Sequence, residues 1–302
     1  MATPVRWRTT DDNSPQGSLF DADALLDHHV GKGEFRGLEF LHVNARRIIN
    51  EVPNVSRMPF RYTINAYRGC SHACAYCFAR PTHAYLDLDI GRDFDTKIVV
   101  KVNAVERLRA ELRPKRWGGH HIAMGTNTDP YQRAEGKYHL TRGIVEVLTE
   151  AANPFSILTK STLILRDLDL LVEAIQRADV HVNFSIGTLD EEVWKLAEPG
   201  TPHPRQRVEA VARLNAAGVP CGVLVAPILP GLSDRPEQVA AVKAACAEAG
   251  ASSVSVINLH LRPGVREHFM GWLGEARPDL VPTYERLYRK GAYLRGEAGG
   301  GG

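Results

Sequence analysis

The sequence contains no apolar run of the roughly 20 residues that a membrane-spanning helix requires. Its amino-terminal residues also lack the apolar core of a signal peptide, so we expect a cytoplasmic protein without a membrane partner. There is no excess of charge of one sign, because 37 Lys and Arg stand against 35 Asp and Glu. This balance neither requires nor excludes a nucleic-acid partner.

Cysteine is scarce as well. The 302 residues include five cysteines, an odd number that cannot form a complete disulfide framework, and three of them (Cys70, Cys74 and Cys77) lie close together. In a reducing compartment such a group predicts a metal site rather than disulfide bridges. The other fractions, 44% hydrophobic residues with 26 Gly and 18 Pro, exclude collagen-like, low-complexity and fully disordered proteins.

Short β-branched segments alternate with helical patterns along most of the chain. Predicted strands begin near Arg61, His121, Phe155, Val180, Val219 and Ser252, and predicted helices cover residues 102–113, 140–152, 168–177, 204–217 and 236–249. The strands are often apolar on both faces, as in a parallel sheet that is covered by helices. Six such units predict a partial (β/α)₆ barrel of the α/β class, with its active site at the carboxyl ends of the strands.

Three regions are predicted along the chain. Residues 1–56 form an N-terminal extension that is partly disordered at residues 9–18 and adds a covering strand near residues 37–43. Residues 57–265 form the core, and residues 266–302 form a C-terminal helical segment with a flexible Gly tail. The last core helix has its own boundary signals, with Asp234 as N-cap, Glu237 as the reciprocal partner and Gly250 as the stop.

The three clustered cysteines follow the first predicted core strand, at its carboxyl end. Three thiolates on one loop can hold three corners of a [4Fe–4S] cluster, which leaves the fourth iron open for a substrate or cofactor. The alternative is a zinc site that adds His72 as fourth ligand. Structural zinc normally uses two short ligand pairs, and nothing downstream of Cys77 supplies a second pair.

The spacing Cys-x₃-Cys-x₂-Cys, with the aromatic Tyr76 before the third cysteine, resembles the signature of the radical S-adenosylmethionine (SAM) superfamily. From about Arg57 to about Leu273 the chain is similar to the spore photoproduct lyase–like, "DNA repair photolyase" branch. The most specific segment is Gly-Thr-Asn-Thr-Asp-Pro-Tyr-Gln-Arg-Ala-Glu at 125–135, where Arg133 replaces an inner proline of the branch's motif. Further similar segments lie at residues 68–70, 159–161, 185 and 226–234, and residues 258–265 resemble an actinobacterial subgroup.

The resemblance implies an enzyme that binds one [4Fe–4S] cluster through Cys70, Cys74 and Cys77 and reductively cleaves SAM to a 5′-deoxyadenosyl radical. It also implies an electron donor such as flavodoxin or ferredoxin. SAM binding needs an acceptor for its amino group and a cation for its carboxylate. By similarity Thr128 and Asp129 take the amino group, Lys160 and Ser185 the carboxylate, and the backbone near Tyr76 and Phe78 the adenine.

Each of these assignments has a structural alternative. Thr128 and Asp129 precede Pro130, and a turn or helix cap would use the same residues. Lys160 alone would be read as a solvated surface charge. The competing class for the whole chain is a non-catalytic zinc or iron–sulfur module that binds a partner and needs no SAM pocket.

Two departures from the lyase bear on the reaction. Thr126 occupies the position of the lyase's hydrogen-donating cysteine, and Phe78 that of a relay tyrosine. Cys221, at the start of a strand, and Cys246, on a core helix stripe, are predicted to be buried structural thiols. Repair of thymine photoproducts is therefore not expected, and two cysteines cannot hold an auxiliary [4Fe–4S] cluster.

A nucleic-acid substrate remains open in the sequence. Basic residues cluster at residues 107–117 together with Trp117 and flank the cysteine loop; they are Arg107, Arg109, Arg113, Lys115 and Arg116, and Arg57, Arg61, Arg68 and Arg80. Such a pattern is typical of a phosphate-binding surface. It is equally typical of a solvated helix face, since Glu106 and Glu111 are interleaved with the first group.

Overall fold

The computed structural model describes residues 20–53, 58–113 and 117–294. The segment at residues 9–18, the Gly tail at 299–302, and Arg57, Lys115 and Arg116 lie outside the described residues. In chain order the strands are β1 (Phe20–Val30), β2 (Glu39–Ala45), β3 (Ile49–Glu51), β4 (Tyr62–Ile64), β5 (Tyr67–Arg68), β6 (Lys97–Lys101), β7 (Ile122–Met124), β8 (Phe155–Thr159), β9 (Val180–Ser185), β10 (Cys221–Ile228) and β11 (Val254–Asn258).

The described residues also form ten helices. They are α1 (Arg92–Thr96), α2 (Ala104–Glu111), α3 (Glu135–Tyr138), α4 (Leu140–Glu150), α5 (Leu168–Ala174), α6 (Glu191–Ala197), α7 (Pro204–Ala216), α8 (Pro236–Glu248), α9 (Val265–Ala276) and α10 (Val281–Leu287). The five with predicted boundaries, α2, α4, α5, α7 and α8, lie close to those boundaries. Four short 3₁₀ segments lie at Gly33–Phe35, Arg80–Leu86, Thr162–Asp167 and Pro278–Leu280. None of the helices described is long and apolar enough to cross a membrane.

All six predicted core strands are neighbours in one sheet of order β11-β10-β9-β8-β7-β4-β3. The pairs from β4 to β11 are parallel, and only β3 joins antiparallel to β4. Because β3 and β11 are separate edges, the sheet is an open, partial barrel, which confirms the predicted α/β class. Parallel strands of this kind bring their carboxyl ends to one edge, where the candidate residues collect.

The core forms because the strands carry apolar side chains toward both covering layers. Phe155, Ile157 and Phe184 are completely buried in β8 and β9, and Ile144 and Leu148 of α4 pack into the same cluster. Cys221 and Cys246 are also buried in this cluster, at the places predicted for structural thiols.

A second sheet of order β1-β2-β6-β5 lies outside the six predicted units. The covering strand expected near residues 37–43 is present as β2, which pairs antiparallel with β1 and parallel with β6. Strand β5 pairs antiparallel with β6 and leads directly into the cysteine loop. The predicted N-terminal extension thus contributes strands to both sheets.

One predicted boundary signal is wrong. Asp234 does not cap α8, because its carboxylate accepts a hydrogen bond from the Gly231 amide at 2.8 Å and Arg235 occupies the cap position without a side-chain bond. The carboxylate closes the preceding turn instead of the helix. The predicted stop is confirmed, since Gly250 follows the helix with φ +73°.

Candidate active site

The cysteine loop begins at a position where only glycine fits the backbone conformation and the close contacts. Gly69 has φ +79°, and a Cβ atom there would lie 2.9 Å from the carbonyl oxygens of Phe94 and Lys97. The next amide, of Cys70, donates to the Phe94 carbonyl at 2.9 Å. The first cysteine is therefore fixed against the end of α1 as soon as β5 ends.

A buried arginine holds the middle of the loop. Arg80 is 1% exposed, and its guanidinium donates to the Cys74 carbonyl at 2.9 and 3.1 Å and to the Asp95 carboxylate. On the opposite side the loop touches Gly200, where a Cβ would stand 2.1 Å from the Ser71 carbonyl. The Gly200 amide donates to the His72 carbonyl at 3.1 Å. These contacts fix the backbone from which the three thiols project.

The thiols of Cys70 and Cys74 are buried, and that of Cys77 is partly exposed. Burial raises the pKa of the Cys74 thiol to about 12, and it raises the pKa of Cys70 and of Cys77 as well. In such surroundings the sulfurs ionise only when positive charge is placed beside them. Metal coordination supplies that charge, so the donor set fits a metal centre better than it fits free thiolates.

The spacing of the sulfur atoms separates a cluster from a single ion. Ligands of one tetrahedral zinc, at about 2.3 Å from the metal, stand roughly 3.8 Å apart. Among the described residues, neither Cys70, Cys74 and Cys77 nor a set that includes His72 brings its ligand atoms within 4.8 Å of one another. A [4Fe–4S] cluster does not require the sulfur atoms to approach so closely, because each cysteine would bind a different iron.

The segment at residues 125–135, called the Thr-Asp-Pro segment below, follows β7 and forms hydrogen bonds with the cysteine loop. The Thr128 hydroxyl donates to the Gly69 carbonyl at 2.7 Å, and the Gln132 amide group donates to the same carbonyl at 2.9 Å. The Gln132 side-chain oxygen accepts from the Ser71 amide at 3.0 Å. Thr128 and Gln132 thus bind both flanks of Cys70.

Asp129 contacts three segments that are distant from one another in the sequence. One carboxylate oxygen accepts from the Tyr131 amide at 2.9 Å and from the Thr159 hydroxyl at 2.7 Å. The other accepts from the Lys160 amide at 2.6 Å and lies 3.4 Å from Nδ1 of His72. The turn alternative for Asp129 is therefore realised in the fold, and any contact with an amino group would be additional to it.

Lys160 follows β8, and its ammonium group forms fewer contacts than the other charged groups of the site. Its ammonium lies 5.6 Å from the centre of the Tyr76 ring, and in the part of the chain that the structure describes it has no hydrogen-bond or ion-pair partner. Burial lowers the pKa of this amine, but the fields of Cys74 and Glu198 outweigh burial and leave the pKa raised. A half-buried, protonated and unbonded ammonium is ready to receive an anion.

A buried ion pair, between Glu198 and Arg207, lies near Lys160. Glu198 accepts a short hydrogen bond from the Tyr76 hydroxyl and forms an ion pair of 2.6 Å with Arg207. Burial raises the pKa of Glu198, but Arg207 and Lys160 outweigh it, so the net pKa is lowered. Arg207 also donates to the Ser185 carbonyl at 3.1 Å, and the Ser185 hydroxyl donates to the Ala226 carbonyl at 2.8 Å.

A model of the Radical SAM superfamily matches residues 64–242 of the chain. These residues include all three cysteines, the Thr-Asp-Pro segment, Lys160 and Ser185. The chain belongs to the radical SAM superfamily. It is a radical SAM enzyme, in which [4Fe–4S] and SAM are the cofactors implied by the superfamily.

Relatives in other organisms are similar over most of the chain. An uncharacterized protein of Mycobacterium tuberculosis (strain ATCC 25618 / H37Rv) is 50% identical over 269 residues, which is 89% of this chain and 79% of the relative. An uncharacterized protein of Methanocaldococcus jannaschii is 31% identical over 65% of this chain and 70% of its own length. The radical SAM Nalpha-GlyT isomerase of Pseudomonas phage M6 is 24% identical over 54% of this chain and 32% of its own length.

Solved structures of spore photoproduct lyase share the fold. The lyase complexed with dinucleoside spore photoproduct matches with a TM-score of 0.59 and 20% identity, over 81% of this chain and 69% of the lyase. A point mutant of the lyase with the same dinucleoside matches with a TM-score of 0.56 and 18% identity, over 79% of this chain and 66% of the mutant. The predicted radical SAM fold is thereby confirmed.

The structure separates the two aromatic residues of the radical SAM motif. Tyr76 is buried among the site residues and points its hydroxyl to Glu198, whereas Phe78 is 54% exposed. Thr126, which the family resemblance leads us to expect at the position of a hydrogen-donating cysteine, is half-buried and accepts a hydrogen bond from the Asn65 amide group at 3.2 Å. Neither side chain offers a thiol at the site.

An open cleft of about 410 Å³ adjoins the cysteine loop. Residues from four segments line it, among them His72 of the loop, Tyr131 and Arg133 of the Thr-Asp-Pro segment, and Ser161 after β8. Arg133 is exposed and also donates a short hydrogen bond to the Glu34 carbonyl. The replacement of the family's proline therefore adds a cation to the rim of the cleft.

The basic residues predicted around the loop are mostly engaged elsewhere. Arg80 is buried and paired, which removes it as a phosphate contact, and Arg61 pairs with Glu51 at 2.7 Å. In the other group Arg109 pairs with Glu150 on the protein surface. Trp117 packs edge-on against Tyr62 and donates to Asn153, so it is no free stacking platform.

Sequence reasoning missed three residues that shape the site. Gln132 lies inside the recognised segment, and its neighbours could have indicated it. Glu198 and Arg207 carried no local signal, because each resembles an ordinary charged residue of a helix. Their roles depend on a contact between Glu198 and Tyr76, which are 122 residues apart in the chain.

Proposed function

We propose that this protein holds one [4Fe–4S] cluster on Cys70, Cys74 and Cys77 and uses SAM to remove hydrogen from a substrate. The observation that carries the proposal is the fixed loop after β5, which brings three thiols together. Those of Cys70 and Cys74 are buried, that of Cys77 is partly exposed, and the three sulfur atoms do not all lie within 4.8 Å of one another. Bound by these thiols, the cluster would supply the electron that cleaves SAM, and SAM would supply the 5′-deoxyadenosyl radical for hydrogen abstraction. An electron donor such as flavodoxin or ferredoxin would supply the reducing equivalent.

The chain's own residues bind and orient SAM. Lys160 would pair with the carboxylate, because its ammonium is unbonded and half-buried beside Tyr76. Asp129 would accept from the amino group with the lone pairs that its internal bonds leave. Thr128 contributes mainly by holding Gly69, and hence Cys70, in place. For Ser185 to donate to the carboxylate, its hydroxyl would have to leave the Ala226 carbonyl.

Glu198 and Arg207 support this arrangement from behind. The ion pair neutralises two buried charges and directs the Tyr76 ring toward Lys160. The backbone near Tyr76 and Phe78 would meet the adenine. Burial of these groups keeps water from the reacting atoms, which protects a radical from quenching.

Nucleic acid is the substrate class that we propose. The exposed guanidinium of Arg133 at the cleft rim supports an anionic substrate. A fluorescent oligonucleotide should bind the parent protein in a salt-dependent manner, and Arg133→Ala should weaken binding. Binding that is independent of both salt and Arg133 would contradict this substrate class.

The experiment that tests the proposed function is an anaerobic assay for 5′-deoxyadenosine. Reconstituted and reduced parent protein should form 5′-deoxyadenosine from SAM, and Cys74→Ala should not. Cys246→Ala is the matched control, since this thiol is buried in the core away from the loop and should leave product formation intact. Product formation that survives Cys74→Ala would overturn the assignment of the cysteines.

A further inference from the structure

A second group of metal-ligating side chains lies on the four-stranded sheet, outside the cysteine loop. Asp27 and His29 of β1 and His42 of β2 place one ligand atom each within 4.8 Å of one another. His29 Nε2 lies 2.9 Å from Asp27 Oδ2, and the rings of His29 and His42 are 4.6 Å apart between centroids. Among the described residues this is the one set of three that meets this spacing.

The register of the hairpin brings the three together. Asp27 pairs directly with His42, and His29, two residues further on, projects from the same face of β1. A bulge between Leu25 and Asp27 makes this possible, because without it Leu26 would stand opposite His42. Leu26 is instead left 54% exposed. Because of the bulge, the residue opposite His42 is Asp27, with a carboxylate, and not the apolar Leu26.

His42 is also oriented from behind. Its Nε2 lies 2.7 Å from the hydroxyl of Tyr138 in α3, and the Tyr138 ring meets the His42 ring edge-on. When Nε2–H donates to this hydroxyl, Nδ1 carries the lone pair. A ligating histidine commonly has such a partner for its other ring nitrogen, which fixes the tautomer and the ring plane.

Charges of both signs lie near the three ligand side chains. Lys137 is the nearby opposing charge, with its ammonium 5.1 Å from the Tyr138 ring centre. Asp27 supplies the negative charge that a cation requires.

We propose that Asp27, His29 and His42 bind a divalent transition-metal ion of the zinc class. Two imidazoles and a carboxylate are a ligand set that zinc accepts, at about 2.0–2.2 Å, with water in the fourth position. To bind the ion through Nε2, the neutral His29 ring carries its one hydrogen on Nδ1, and the ion takes the place of the hydrogen between His29 Nε2 and Asp27 Oδ2. The fourth position faces solvent, since the Asp27 and His29 side chains are 58% and 44% exposed.

The test is a zinc titration of the reconstituted protein, whose three loop cysteines are occupied by the cluster. Calorimetry should show one zinc per chain, and His29→Ala or His42→Ala should each weaken its affinity by at least about 10-fold. Tyr138→Phe, which keeps the ring but removes the hydroxyl, should weaken it by about 10-fold.

His28→Ala is the matched control. His28 lies on the same strand and contacts a carboxylate, Glu39, at 2.9 Å, but it has no third ligand among the described residues. It should bind zinc like the parent. Circular dichroism of each variant checks that the fold is retained.

Cobalt identifies the ligands independently. Co²⁺ bound at the proposed site should give d–d absorption without a thiolate charge-transfer band, and His42→Ala should abolish the d–d signal. Failure of the parent to bind zinc or cobalt, or equal binding by the parent and His29→Ala, would overturn the proposal. Neither result depends on the activity of the cysteine loop.

Discussion

At the residue scale, Lys160 and Asp129 differ in how much of their bonding capacity the fold already uses. Both oxygens of Asp129 accept hydrogen bonds within the protein. The Lys160 ammonium has no hydrogen-bond acceptor or ion-pair partner among the described residues. Replacing Asp129 would leave the Thr159 hydroxyl and the Lys160 amide without their acceptor, at about 1–3 kcal/mol for each buried group. Lys160 is therefore the cleaner probe of SAM binding.

Lys160→Met should weaken SAM binding while the cluster survives. The substitution keeps the alkyl stem and removes a charge-assisted contact worth about 1.5–3 kcal/mol, which is roughly 10-fold or more in affinity. Equilibrium binding of SAM to reconstituted protein measures the effect. Lys195→Met, at an exposed residue that pairs with Glu191, is the control and should bind like the parent. Equal affinities for all three proteins would remove Lys160 from the SAM site.

A second lysine, Lys101, is expected to make the free energy of unfolding depend on pH. Lys101 of β6 is buried and donates to the Asn65 carbonyl at 2.8 Å, and burial, with Arg68 adding to it, lowers its pKa to about 7. An unfolded lysine stays protonated up to about pH 10. Between these values the folded state binds fewer protons, so the contribution of Lys101 to stability rises with pH.

Lys101→Met should remove this dependence. The free energy of unfolding of the parent, relative to that of Lys101→Met, should increase from pH 7 to pH 9, by at most about 1.4 kcal/mol per pH unit. Denaturant titrations of both proteins at the two pH values provide the comparison. A constant difference between parent and variant would show that Lys101 stays charged in the fold.

At the scale of elements, the cysteine loop depends on close backbone approach rather than on side-chain packing. Gly69→Ala should destabilise the protein by about 2 kcal/mol or more, because it adds left-handed strain and overlap with two carbonyl oxygens. The iron content after reconstitution should fall as well, since Cys70 moves with the loop. Gly136→Ala in α3, where a Cβ meets nothing within 4 Å, should keep parental stability and iron content. Equal stability of the two variants would contradict this role of Gly69.

The elements also show how far the sequence could predict the fold. The six core strands were predictable because runs such as residues 122–124 and 221–228 are apolar on both faces. The four-stranded sheet as a whole was not. Strand β1 is rich in charged and histidine residues, and β2 finds its parallel partner β6 more than fifty residues away. Such pairing depends on tertiary contacts that no local pattern records.

The same limit applies to the site. The cysteines, the Thr-Asp-Pro segment and Lys160 belong to short motifs, and the parallel topology brings them to one edge. Glu198 and Arg207 enter the site from α6 and α7 through an ion pair that no spacing indicates. The bulge that sets Asp27 opposite His42 is likewise a property of strand pairing and not of the β1 sequence alone.

At the scale of the whole molecule, we expect the fold shared with spore photoproduct lyase to serve a reaction other than repair of the spore photoproduct. By the resemblance to the lyase-like branch, Thr126 and Phe78 are expected at the positions of a hydrogen-donating cysteine and a relay tyrosine. Cys221 and Cys246 are buried in the core cluster, away from the loop. A substrate carbon radical takes hydrogen readily from a thiol but not from a hydroxyl.

Reduced enzyme, SAM and dinucleotide photoproduct should therefore give little clean conversion to thymidylyl-thymidine, while uncoupled SAM cleavage continues. Chromatography of the products measures both. Thr126→Cys should raise clean repair if residue 126 faces the substrate, and Thr126→Ser is the control that restores no thiol. Clean multiple-turnover repair by the parent would contradict the prediction.

The iron and acid-labile sulfide content of anaerobically purified protein tests the central claim most directly. The cysteine loop should hold about four iron and four sulfide per chain. Cys70→Ala, Cys74→Ala and Cys77→Ala should each lose both, and Cys221→Ala should keep them. A parent protein without labile sulfide, whose loop instead holds zinc that is lost in Cys74→Ala, would contradict the assignment of this site to a [4Fe–4S] cluster.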